Sequence, residues 1–235
     1  MSTTTAELTV QAVLQSYSPA QLQQIAANLS PTEQWEAEQI IEDARCSEDH
    51  LYWAQNHTRT ENPKWREQGL EFKAPFPRKS YFAPLFERFK SKKRLFIPKT
   101  REMLTSWSVM IWACGEAQWN KAEVIVQTDS EDKAKELVGY ADCLYRNQDD
   151  WLRQRHPLAS EPSHLEINWA DGGRVFGIPK GEHKIRLFHP TIYIMDEASF
   201  LPEAQQCYDT AHPVAGQIIA ISSAGPGWFG NQCSR

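Results

Sequence analysis

The chain has 235 residues, 41% of them hydrophobic, a length that suits one large domain or one domain with a small appendage. No apolar run approaches the ~18 residues of a membrane span, and the opening MSTTTAELTV lacks the basic segment and apolar core of a secretory signal. The net charge of −5 argues against a free-standing nucleic-acid binder, which carries a basic excess, and the five scattered cysteines form no CxxC pair, which argues for reduced thiols over a zinc site.

Residues 1–57 read as a helical N-terminal segment. Ser18-Pro19 and Ser30-Pro31 each set a capping serine before a proline at the first helical position. Leu22, Ile25 and Leu29 recur at helical spacing after the first, and Trp35, Ile40 and Ile41 after the second. Ser47 is placed to cap a third helix over EDHLYWAQN. Residues 58–79 are polar, contain prolines and have no sustained period, so they predict a linker or extended arm. SYFAPLFERFK predicts a helix that tolerates Pro84 near its start.

From residue 80 to 235 the pattern predicts one domain of alternating strands and helices. The strands are RLFIP, AEVIVQT, TIYIMD and GQIIAIS. An apolar helix starts at Ser106, and a second, amphipathic one follows Ser130 as its cap. Short β-branched runs joined by helices predict a parallel α/β sheet. Asp171, Gly172 and Gly173 between two alternating runs predict a β-hairpin inserted in that order.

Chemistry concentrates at three strand ends. TIYIMDEASF buries four residues and then presents two acids at its carboxyl end, which faces the ligand crevice in an open parallel sheet. Asp196 suits a magnesium ion and Glu197 suits the orientation and deprotonation of an attacking water. Adjacent acids on a strand point to opposite sides, so two roles are expected of them. The bland alternative is a strand ending in a solvated acidic turn.

The second end is RLFIPKTREMLTSW. Laying the phosphate-loop pattern GxxxxGK[ST] on it puts Lys99 and Leu104 on the glycines, Thr105 on the lysine and Ser106 on the hydroxyl, and only Ser106 fits. The chemistry still has what it needs: backbone N–H groups at a helix start, cations in Lys99 and Arg101, and one hydroxyl for a metal. Without glycine the loop must avoid positive φ or bear strain, and an ordinary strand–helix connection remains open. The third end, IIAISSAGPG, offers Ser222, Ser223 and Ala224, whose hydroxyls could touch a terminal phosphate or its water; a plain strand and turn is the alternative.

In this order the three segments resemble the ATPase domain of tailed-phage terminase large subunits, the DNA-packaging motors. KTREMLTSW is similar to the deviant Walker A loop of that family at Lys99, Arg101, Met103, Ser106 and Trp107; Asp196-Glu197-Ala198 resembles its Walker B and catalytic glutamate; Ser222-Ser223-Ala224 resembles its coupling motif. The hairpin DGGRVFGIPKG and the following KIRLFHPT also look like the family's segment before Walker B, and the resemblance spans about residues 51–227.

The resemblance implies a P-loop NTPase fold of the RecA-like, additional-strand, catalytic-glutamate type. It implies ATP and Mg2+ as ligands, with Lys99, Thr100, Arg101, Glu102, Met103, Leu104, Thr105 and Ser106 forming the ATP loop. It further implies Ser106 and Asp196 at the metal, Glu197 and Arg101 in catalysis, and Ser222, Ser223 and Ala224 in coupling. Its implied partners are double-stranded DNA, a portal protein, a small terminase subunit and further copies in a ring, in the host cytoplasm and without a membrane. Glu102 stands where such loops often carry glutamine, and no nuclease domain is expected in a chain that reads as the ATPase part of a longer or split protein. Phe76, Tyr81 and Phe82 are candidates for adenine stacking but read more readily as core, and KSKKR (residues 90–94) reads as a solvated basic face before it reads as a DNA contact. A helicase-like remodelling ATPase and a non-catalytic assembly module with a degenerate nucleotide site are the competing readings.

Overall fold

The computed structural model describes residues 30–61, 69, 71–100, 102–179, 185, 188–223, 225 and 227–234. The helix expected after Ser18-Pro19, the centre of the predicted arm, Arg101 and Ala224 lie outside the described residues. The chain divides into two compact units, residues 1–49 and 50–235.

The first unit contains α1 (Pro31–Glu48). Its start follows from the sequence: the Ser30 hydroxyl accepts the Glu33 N–H at 3.4 Å, and the Glu33 carboxylate accepts the Ser30 N–H at 2.8 Å. This reciprocal cap satisfies two otherwise orphaned donors and stabilises the helix by about 1 kcal/mol. Ser47 is not the cap of a third helix. It lies in the last turn of α1, where its hydroxyl donates to the Ala44 carbonyl at 2.7 Å, and α2 starts at His50 (His50–Asn56).

The second unit therefore begins earlier than residue 80. Trp53 of α2, Thr58, Thr60 and Phe76 are buried. The predicted arm includes a two-stranded antiparallel ribbon, β1 (Thr60–Glu61) with β2 (Lys73–Ala74). The sequence has no period there because each piece contributes one or two inward residues, too few to repeat.

The main sheet contains β3 (Arg94–Lys99), β4 (Glu123–Gln127), β5 (Glu166–Asn168), β6 (Arg174–Ile178), β7 (Ile192–Asp196) and β8 (Gln217–Ser223), in the order β3-β8-β7-β4-β6-β5. All neighbours are parallel except β5 with β6, the expected hairpin. Its turn needs glycine twice: Gly172 has φ 106°, and a Cβ on Gly173 would collide with the Ala117 carbonyl. In the sheet, β8 follows β7 in the chain yet inserts between β7 and β3. This is the additional-strand arrangement of the RecA-like P-loop class, as expected.

Helices cover both faces. On one side lie α4 (Thr105–Asn120) and α5 (Glu131–Arg146). The helix α4 is apolar nearly all round, as a central helix must be, with Val109, Met110, Ile111, Ala113 and Ala117 fully buried. By contrast α5 is amphipathic: Ala134, Leu137, Val138, Ala141 and Leu144 face inward, and the Ser130 hydroxyl accepts the Lys133 N–H at 3.4 Å. On the other face, Ile125, Tyr193, Met195, Ile218 and Ala220 pack with residues of α7 (Ala204–Ala211) and α8 (Trp228–Cys233). Removing one such side chain from water stabilises the fold by roughly 1.5–3 kcal/mol. Two shorter helices, α3 (Phe82–Ser91) and α6 (Asp150–Arg155), complete the unit. No helix of the described residues is long and apolar enough to cross a membrane.

Arg94 departs from the reading of KSKKR as a basic face. Its guanidinium donates to the carbonyls of Lys93, Gly216, His212 and Ala215 at 2.8–3.2 Å. It clasps the start of β3 to the turn before β8. Phe76 and Phe82 are core residues, 1% and 0% exposed, so neither can stack on a base. Tyr81 remains partly exposed, with its hydroxyl donating to the Met103 carbonyl at 3.4 Å.

Candidate functional site

Parallel register gathers the candidate residues. Lys99 ends β3 opposite Ser223 of β8, and Asp196 ends β7 opposite Ile221. Three segments far apart in sequence thus finish side by side at the carboxyl edge of the sheet, where α/β folds bind ligands.

The contacts are short and mutual. Lys99 Nζ lies 3.0 Å from Asp196 Oδ1, 3.2 Å from Glu197 Oε1 and 3.1 Å from Ser106 Oγ. The Ser106 hydroxyl donates to Asp196 Oδ2 at 3.2 Å. The side chains of Lys99 and Asp196 are each only 11% exposed, so this lysine is committed to the acids in a site of low solvent content.

Glu197 does not point away from Asp196. It lies just past the strand with φ 52°, and the left-handed turn brings its carboxylate back to the same lysine. The alternation argued from sequence holds within a strand and stops at its end. The turn is well tied: Glu197 N–H donates to Asp196 Oδ1 at 2.8 Å, Ala198 N–H to the Ile221 carbonyl at 3.1 Å, and Ser199 N–H to Ser222 Oγ at 3.0 Å. Ser222 in turn lies 3.5 Å from Glu197 Oε2, and the Ser199 hydroxyl donates to the Ser223 carbonyl at 3.1 Å.

The loop bears strain in place of glycine. Glu102 has φ 71° and Leu104 φ 53°. With Glu197, they account for three of the five non-glycine residues of positive φ among the described residues. Each such conformation costs about 1–2 kcal/mol, and strain of this kind gathers at functional sites. Leu104 is the N-cap of α4 and provides no side-chain cap, so the first-turn N–H groups, which have no intrahelical acceptor, are the natural anion ligands. Thr105 is buried, while Thr100 and Ser106 line the cavity.

That cavity has a volume of about 670 Å³. Lys99, Thr100, Ser106, Asp196, Glu197 and Ser223 form one part of its wall. Lys133, Glu136, Leu137 and Tyr140 of α5, with Phe200, form the other. The sequence reading missed this second wall. Lys133 is held by Asp129, with Nζ 2.8 Å from Oδ2; that bond and the Asp129 charge, and after them the charges of Glu197 and Asp196, hold its ammonium above the ordinary lysine pKa. Burial, and next the hydrogen bond to Glu136, push Tyr140 up, and its ring stacks on Trp107 at 4.1 Å between centroids. A signal was present: α5 starts at the carboxyl end of β4, the strand next to β7.

The donor set fits a hard cation shared with a phosphate. No cluster of three or more His, Cys, Asp or Glu residues that could hold a metal occurs among the described residues. What the site offers is one hydroxyl, Ser106, and one carboxylate, Asp196, in contact. Magnesium is commonly held by such a sparse set, completed by substrate phosphates and water.

The mostly parallel sheet, with β8 inserted between β7 and β3, has the RecA-like P-loop fold. The fold is that of phage large terminase ATPase domains. Over 75% of this chain and 37% of that chain, it is similar to the HK97 bacteriophage large terminase, with a TM-score of 0.55 and 8% identity. The ATPase domain of the Thermus Phage P74-26 large terminase matches over 73% of this chain and 72% of its own, with a TM-score of 0.47 and 15% identity. No protein-family model and no curated protein matches the chain.

Proposed function

We propose that this chain is the ATPase part of a tailed-phage terminase large subunit and hydrolyses ATP with Mg2+ to drive double-stranded DNA into a procapsid. The observation that carries the reading is the Lys99–Ser106–Asp196–Glu197 cluster at the carboxyl ends of the strands. The strained loop and the α4 N-terminus take the triphosphate. Ser106 and Asp196 would hold the metal, which when bound would neutralise charge on the phosphates. Lys99, now paired with both carboxylates, would turn to the phosphates when the triphosphate is bound. Glu197, relieved of Lys99, orients the attacking water and takes its proton. Arg101 provides a further cation from the loop. Ser222, against Glu197, links the reacting end to β8 and to the Ser199 turn, and with Ser223 and Ala224 transmits hydrolysis to the rest of the motor. DNA, a portal protein, a small terminase subunit and neighbouring copies in a ring are the partners this reading entails, in the host cytoplasm.

The test is equilibrium titration of the purified chain with an ATP analogue, with Mg2+ and with a chelator. Magnesium-dependent binding that survives Glu197→Gln while hydrolysis is lost supports the reading. A chain that binds no nucleotide under either condition is a degenerate assembly module instead.

A further inference from the structure

Resting on the reading of this cavity as a nucleotide site, we infer that Lys133 is an additional phosphate-binding cation, on the wall opposite the loop, and contacts the terminal phosphate of ATP. The described part of the loop supplies Lys99, and Lys99 already faces two carboxylates. Around the cavity, Lys99 and Lys133 stand against Glu136, Asp196 and Glu197. A triphosphate entering so acidic a wall needs every cation it can reach, and Lys133 is the one on the opposite wall.

Its geometry suits the task. Lys133 sits in the first turn of α5, and its side chain is about half exposed, so it is open to a ligand. Asp129, two residues past β4, pins the ammonium through Oδ2 at 2.8 Å. The other oxygen, Oδ1, is buried and has no hydrogen-bond partner among the described residues. This carboxylate is thus dedicated to the lysine. An ammonium has three donors; the bond to Asp129 takes one and leaves two for a ligand. The helix start adds its own positive end, which favours an anion beside Lys133.

Strand order assigns the phosphate. From the loop after β3, the edge runs past β8 to Asp196 on β7, and then to β4 and Lys133. A triphosphate seated on the loop and extended past Asp196 brings its last phosphate toward Lys133. ADP lacks that phosphate and would not reach. Lys133 therefore distinguishes ATP from ADP, whereas Lys99 serves both.

The experiment titrates the full chain with a non-hydrolysable ATP analogue and with ADP, each with Mg2+. Lys133→Ala should weaken the analogue about tenfold and change ADP by less than about twofold, the low end for a charge-assisted bond that solvent partly screens. Lys133→Arg should retain most of the discrimination. Asp129→Asn, which keeps the lysine but frees it, should lose part of it, an effect that a fold defect shared by both nucleotides would not produce. Lys99→Ala should weaken both ligands. If the unsubstituted chain binds both ligands and Lys133→Ala alters neither, or both equally, the inference falls and the nucleotide site stands. If the unsubstituted chain binds neither, both fall.

Discussion

The two chemical edges of the site are built differently. Asp196 ends β7, which is buried along its whole length and paired on both sides, and Glu197 follows it directly in the turn. The turn after it is tied to β8 through Ala198 and Ser199. The loop before α4 follows β3, which pairs with β8 alone among the described residues, and whose residues are mostly only half-buried. Its backbone carries two left-handed residues and is bonded from outside by the Tyr81 hydroxyl at 3.4 Å. A group that must aim a water molecule needs a rigid mount, because small misplacements of reacting groups are costly. A loop that admits and releases phosphate can be compliant, and weakly held segments open at low cost.

The largest effect that sharpens this contrast is at the rigid edge. Glu197→Gln keeps the shape and removes the basicity, so turnover should fall about 10²–10⁴-fold with nucleotide affinity retained. Steady-state hydrolysis by an assembled motor is the measurement, and near-normal turnover would remove Glu197 from its role. Next comes Lys99→Ala, which should weaken nucleotide binding roughly ten- to a hundred-fold through loss of a charge-assisted contact, read by the same titrations.

Ser222→Ala tests whether the acid turn is rigidly tied. It orphans the Ser199 N–H and removes the contact with Glu197, at about 1–3 kcal/mol. A lower melting temperature should accompany reduced hydrolysis, and an unchanged melting curve would show that the tie is not holding the turn. The smallest effect belongs to the loop. Leu104→Gly relieves about 1–2 kcal/mol of left-handed strain and costs about 0.5–1 kcal/mol in unfolded-chain entropy. Thermal unfolding should show no loss of stability and a slight gain. A clear loss would mean that the Leu104 side chain, not the backbone, holds the loop.

Much of this was legible from local pattern. The four strands, the helix capped by Ser130, the Gly172–Gly173 hairpin and the Ser30 cap before Pro31 depend on periods and caps that span a few residues. The abrupt acids after TIYIMD and the hydroxyl of Ser106 pointed to residues that meet at the cavity. The burial of Thr58 and Thr60 was not legible, because isolated inward residues make no period. The structural role of Arg94 was hidden as well, since its acceptors are carbonyls more than a hundred residues away, apart from that of Lys93.

By itself the sequence determined which segments become strands and helices, and which of their ends are polar, since those properties reside in neighbouring side chains and backbone preferences. Tertiary structure decided which ends meet. The insertion of β8 beside β3 put Ser223 opposite Lys99, the left-handed turn at Glu197 sent both carboxylates to one ammonium, and the packing of α5 beyond β4 put Lys133 on the facing wall. Strand order and helix packing are settled by burying whole faces across distant segments, and no short window of sequence contains that balance.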